Sequence, residues 1–212
     1  MEAYETLAAN QVLPIERWTK LTPATMLQIL KDGNREFAEG KLTIRNNNDA
    51  IRTYPKIAIV SCSDVSIPIE DLFHRNYRDL IVTNVAGNII NEDILYHLEY
   101  ACKVSDAKLI LVLGHENCGA ITSAIKEINQ GNSTSILSEI ESAVTNINRR
   151  FKGNKSTQNI NYLTAVCYEN VKIGIHTIRQ KSPILRNMEA NGGIIITGGI
   201  YDMELGEVDF LT

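Results

Sequence analysis

The chain of 212 residues is 44% hydrophobic and 22% charged, which is enough apolar material for a buried core, and its length predicts one domain over 1–212. A formal net charge of -4 and a pI near 5.6 provide no broad attraction for phosphate backbones or anionic lipid, so nucleic acid and membrane surfaces are not expected partners. The N-terminus (MEAYETLAANQVLPIERW) lacks a basic n-region and an apolar h-region, no apolar run is bilayer length, and four cysteines suit reduced thiols or metal ligands, so the expected location is the cytoplasm.

Residues 1–20 carry Leu7, Val12, Leu13, Ile15 and Trp18 without a clean fit to the body of one domain. They read as an arm that packs on something else, a second subunit being the natural candidate. Thr22 as N-cap and Pro23 in the first turn then open a helix in which Met26, Leu27, Leu30, Asn34 and Phe37 recur at helical spacing and which ends near Gly40. Three short apolar runs follow, Lys56–Ser61, Leu80–Val85 and Lys108–Leu113, with a fourth at Gly193–Thr197. Unbroken Ile- and Val-rich runs separated by helical segments are what strands buried on both faces of a parallel sheet look like. Helices are predicted at Glu92–Val104, Ala120–Asn129, Ile136–Arg150 and Leu163–Gln180, and the polar stretch Gly153–Gln158 reads as an exposed loop. The fold class is α/β, with a mainly parallel central sheet flanked by helices.

Cys62 directly follows the first strand, and His115 and Cys118 directly follow the third, in GHENCGA. In open α/β sheets the carboxyl ends of the strands form the ligand crevice, so these side chains can converge across the intervening chain. Two thiolates and an imidazole suit a tetrahedral zinc that keeps its fourth position open for chemistry. Core packing is the competing reading for any one of them, because cysteine is among the most buried residue types. Cys102 and Cys167 have apolar helix-face surroundings and read as packing residues, and His74, His97 and His176 read as structural.

Together these residues resemble the beta-class carbonic anhydrases over nearly the whole chain, from TPATMLQILKDGNREFAEGK through SCSD, VAGN and GHENCGA to GIYDMELGEVDFL. The resemblance implies Zn2+ on Cys62, His115 and Cys118, with catalytic Asp64 beside the fourth position. It implies reversible hydration of carbon dioxide to bicarbonate, the activity of a zinc lyase. It also implies a homodimer or homotetramer whose N-terminal helical arm wraps the neighbour and whose active site borders the interface. Gly119 and Ala120 would open a helix with amide donors directed at thiolate or bicarbonate charge, and Gly87 and Asn88 would allow close backbone approach or simply form a turn.

The sequence departs from the family pattern at two positions. Ser66 stands where an arginine would clamp the Asp64 carboxylate, and Asn84 stands where a second arginine precedes the VAGN turn. A serine hydroxyl cannot imitate a bidentate guanidinium. Freed of that clamp, Asp64 is expected to act as a fourth zinc ligand in a closed state and to lower activity. Two alternatives stay open: hydrolysis of carbonyl sulfide or carbon disulfide on the same scaffold, and a zinc-binding pseudoenzyme.

Overall fold

The computed structural model describes residues 20–41, 56–65, 68–76, 79–127 and 133–211. The arm, apart from Lys20, and the departure at Ser66 lie outside them.

Helix α1 (Pro23–Ala38) starts as expected: the Thr22 hydroxyl accepts the Thr25 N–H at 3.2 Å, and Pro23 occupies the first turn. The five strands are β1 (Ile57–Ser61), β2 (Leu80–Asn84), β3 (Leu109–His115), β4 (Ile195–Tyr201) and β5 (Val208–Phe210), arranged in the order β2-β1-β3-β4-β5. The first four are parallel, and β5 runs antiparallel to β4. The sheet is therefore mainly parallel with helices on both faces, as the apolar runs predict.

Strand periodicity divides the core in two. Ile57, Ile59, Leu109, Leu111 and Leu113 point to the face covered by α1 and the short α2 (Ile69–Leu72). Ala58, Val60, Ile110 and Val112 point to the other, which is covered by α3 (Glu92–Lys103), α4 (Gly119–Ile125), α5 (Ser133–Arg150), α6 (Ile160–Lys181) and α7 (Pro183–Ala190). Successive side chains of a strand face opposite ways, so a run of consecutive apolar residues is buried only where both faces are covered. β1 and β3 meet that condition along their whole length.

β2 does not meet it. It lies at one edge of the sheet, and only Leu80 is fully buried, which corrects the expectation of burial on both faces. β4 begins two residues later than predicted and continues past Thr197, where the apolar run ends, through Gly198 and Gly199. Both glycines are inside the strand because the neighbours come so close: a Cβ on Gly198 would lie 2.4 Å from Val171 Cγ1, and one on Gly199 would lie 2.8 Å from Val208 Cγ1. The helix expected to reach Asn129 ends at Ile125, while α7 and the three-residue β5 were not anticipated.

Candidate metal centre

The register puts Ser61 of β1 beside Leu113 of β3, so Cys62 leaves its strand next to the point where β3 runs on to Gly114 and His115. Gly114 lets β4 and α6 pack close to this strand end, since a Cβ there would come within 2.8 Å of Ile200 Cδ1 and Val171 Cγ2. After His115 the chain turns through Asn117 in the left-handed region (φ 54) and places Cys118 at the N-cap of α4. The sulfurs of Cys62 and Cys118 are 3.7 Å apart, and the candidate ligand atoms of Cys62, His115 and Cys118 all lie within 4.8 Å of one another. The three residues are 1–2% exposed. Two strand ends and one helix start thus bring together the side chains that the sequence singled out.

The imidazole is oriented for donation through one nitrogen. His115 Nδ1 donates to the Glu116 carbonyl at 2.8 Å, which leaves Nε2 as the lone-pair nitrogen. That Nε2 is buried and has no hydrogen-bond partner among the described residues. An orphaned buried nitrogen is costly unless something electrophilic meets it, and a histidine whose other nitrogen bonds a backbone carbonyl is the usual arrangement of a metal ligand.

The thiols are polarised against each other. Cys62 is pulled down to a pKa of about 4, chiefly by its hydrogen bond with Cys118, against the cost of burial and with help from His115 and the N–H groups of Asp64 and Gly87. Those two amides reach the sulfur at 3.4 and 3.2 Å. Cys118 moves the opposite way because its S–H donates a hydrogen bond to Cys62, it is buried and it faces the Cys62 charge. Burial works against protonation of His115, but its contact with the Cys62 thiolate outweighs this and raises its pKa. Two sulfurs and one imidazole nitrogen fit Zn2+ and disfavour hard cations, which prefer oxygen ligands.

Asp64 is beside this cluster but not a member of it. Its Oδ2 accepts the Gly119 N–H at 2.8 Å, so the first amide of α4 serves the carboxylate and not a sulfur. A Cβ on Gly119 would lie 3.0 Å from that same oxygen, so the glycine is what lets the carboxylate approach. Asn84 ends β2 and is exposed. The residues that sequence reasoning missed are the ones behind the candidate ligands: Glu116, through its carbonyl, and Asn170, whose Nδ2 donates to the Gly87 carbonyl at 2.8 Å. Of the cysteines and histidines read as structural, Cys102 and Cys167 are buried on α3 and α6, and His74 is buried with its Nδ1 2.7 Å from Glu36.

Residues 57–208 match the carbonic anhydrase family, and the chain belongs to it. Among individual proteins it is similar to carbonic anhydrase 2 of Mycobacterium tuberculosis, with 32% identity over an alignment covering 51% of this chain and 56% of that protein. The chain thus spans little more than half the length of that relative. It is also similar to the carbonic anhydrase of Pseudomonas aeruginosa, with 26% identity and 76% of each chain covered. The fold is that of the beta class. A tetrameric beta-carbonic anhydrase of Sordaria macrospora superposes with a TM-score of 0.68 at 22% identity, covering 74% of this chain and 81% of the other. The Coccomyxa beta-carbonic anhydrase, solved in complex with acetazolamide, gives 0.66 at 19% identity, covering 95% and 86%.

Proposed function

We propose that this protein is a zinc-dependent carbonic anhydrase that interconverts carbon dioxide and bicarbonate, with Cys62, His115 and Cys118 holding the metal and Asp64 acting beside it. The observation that carries the reading is the convergence of two sulfurs on a buried imidazole nitrogen that has no other partner. Zinc held there would supply Lewis acidity toward water, bringing its ionisation near neutral pH.

The chain's own residues do the rest. Glu116 fixes the His115 tautomer through its carbonyl, and the Asp64 and Gly87 amides hold the Cys62 sulfur. Gly119 holds one carboxylate oxygen of Asp64, leaving the other to accept a hydrogen bond from water and so orient it. A single amide donor to a carboxylate contributes about 1.5–3 kcal/mol, a weaker hold than a bidentate guanidinium provides. With Ser66 in place of that arginine, Asp64 would be free to serve as a fourth ligand to a bound metal, which would lower turnover near neutral pH below that of the family. Each tenfold loss corresponds to about 1.4 kcal/mol of barrier.

A single domain over 1–212, a reducing cytoplasmic setting and a homodimer or homotetramer complete the proposal. The free state of all four cysteines supports the second of these, and the tetrameric Sordaria relative supports the third. Among the described residues no helix is long and apolar enough to cross a membrane. Stopped-flow carbon dioxide hydration on zinc-loaded protein tests the activity. Turnover above the uncatalysed rate is expected, rising in Ser66→Arg and further when Asn84→Arg is added. Fully loaded protein that leaves carbon dioxide untouched would overturn it, and parallel assays on carbonyl sulfide and carbon disulfide would show whether the scaffold serves those instead.

A further inference from the structure

Gly87 stands between the Cys62 sulfur and a buried side chain of α6. Its N–H reaches Cys62 Sγ at 3.2 Å, and its carbonyl accepts Asn170 Nδ2 at 2.8 Å. Both bonds depend on the left-handed backbone of Gly87 (φ 68, ψ 18), and Asn88 after it is left-handed too (φ 43). Gly87 adopts that region freely, whereas Asn88, with a Cβ, is held there by its surroundings. Packing supports the turn: a Cβ on Gly87 would lie 2.6 Å from Ile140 Cδ1, so α5 closes one side of it. Directional support comes from Asn170.

Asn170 is 5% exposed and sits among buried Val166, Cys167 and Val171 on α6. An amide in such surroundings is unfavourable unless its donors are used, and here one is aimed at the carbonyl of the residue that serves Cys62. α6 is a 22-residue helix packed on β3 and β4, so the donor is mounted on a rigid element. We infer that Asn170 is a positioning residue for the metal centre: by holding the Gly87 carbonyl it keeps the Gly87 amide on the Cys62 sulfur. That amide draws electron density from the thiolate and fixes its direction, so Asn170 sets how strongly Cys62 donates to the metal. The inference rests on the zinc reading of the cluster.

Cobalt(II) is the probe, since its thiolate-to-metal charge-transfer band reports donation from sulfur independently of turnover. Asn170→Ala is expected to move that band to longer wavelength and to weaken cobalt and zinc binding about tenfold, as for other residues that orient ligands. Asn170→Ser, whose hydroxyl is too short to reach Gly87, gives the same direction and serves if the alanine variant does not fold. Glu169→Gln, one residue earlier, weakens the bonds from Asn146 and Arg150 to that carboxylate. It should lower thermal stability while leaving the band and the metal affinity unchanged. A wild-type protein that binds no metal would overturn the zinc reading itself. Normal wild-type binding, with an unmoved band and affinity in the Asn170 variants or an equal shift in Glu169→Gln, would overturn this inference alone.

Discussion

The four cysteines of this chain are all free and all buried, yet two of them converge on His115 and two do not. Cys102 and Cys167 lie within helices, where backbone N–H groups are committed to carbonyls four residues back. Burial dominates there and pushes both thiols up to about 12, with the Asp106 charge adding to the effect at Cys102. Cys62 and Cys118 lie where a strand ends and a helix begins, and loop amides there are free to point at sulfur. Cys62 accepts two of them as well as a hydrogen bond from the Cys118 thiol and falls to about 4, while Cys118, as the donor, moves up. At Cys102 and Cys167 burial wins; at Cys62 the aimed donors outweigh it.

The sharpest way to break the contrast is to remove one sulfur from each pair. Cys118→Ser should weaken zinc binding by more than about 100-fold, exceeding the effect of losing a residue behind the ligands. Cys102→Ser should keep one zinc per chain. Metal analysis after dialysis against a chelator reads both variants, and equal retention would erase the distinction between the pairs.

A smaller effect is expected from Gly87→Ala, which puts a methyl 2.6 Å from Ile140 Cδ1 on a backbone with φ 68. Overpacking of this kind costs about 1–3 kcal/mol and should appear as a lower denaturation midpoint with an unchanged slope. Because the same residue donates to Cys62, zinc affinity should fall alongside it.

The smallest effect concerns pH. The Cys102 thiol ionises near 9 when unfolded and near 12 when folded, so the unfolded chain is the first to lose its proton. Its contribution to stability is therefore fully present below pH 9 and is lost as the pH rises toward 12. Denaturation curves across that window should show a loss that Cys102→Ala flattens, and an identical slope in the variant would contradict the assignment.

The sequence exposes the parts of this architecture that rest on local pattern. β1 and β3 are legible because consecutive apolar residues fill both faces, and the candidate ligands are legible because Cys62 and His115 follow those runs. Other parts depend on contacts distant in sequence. The extension of β4 through Gly198 and Gly199 has no local sign, because the side chains that require them, Val171 and Val208, belong to other elements. β5 is three residues long and exists through pairing with β4. Asn170 carries no local sign of its role, since its partner Gly87 is 83 residues earlier. The burial of an amide amid the apolar face of α6 was the only hint.

The central claim is that Cys62, His115 and Cys118 hold one zinc through two sulfurs and the ε nitrogen. Diffraction from crystals of the purified protein on both sides of the zinc absorption edge tests it most directly. The account predicts a single anomalous peak per chain, bonded to Cys62 Sγ, Cys118 Sγ and His115 Nε2, at about 2.3 Å from sulfur and about 2.0–2.1 Å from nitrogen. A zinc-supplemented crystal with no peak between these atoms, or with its zinc bound elsewhere on the chain, would contradict it.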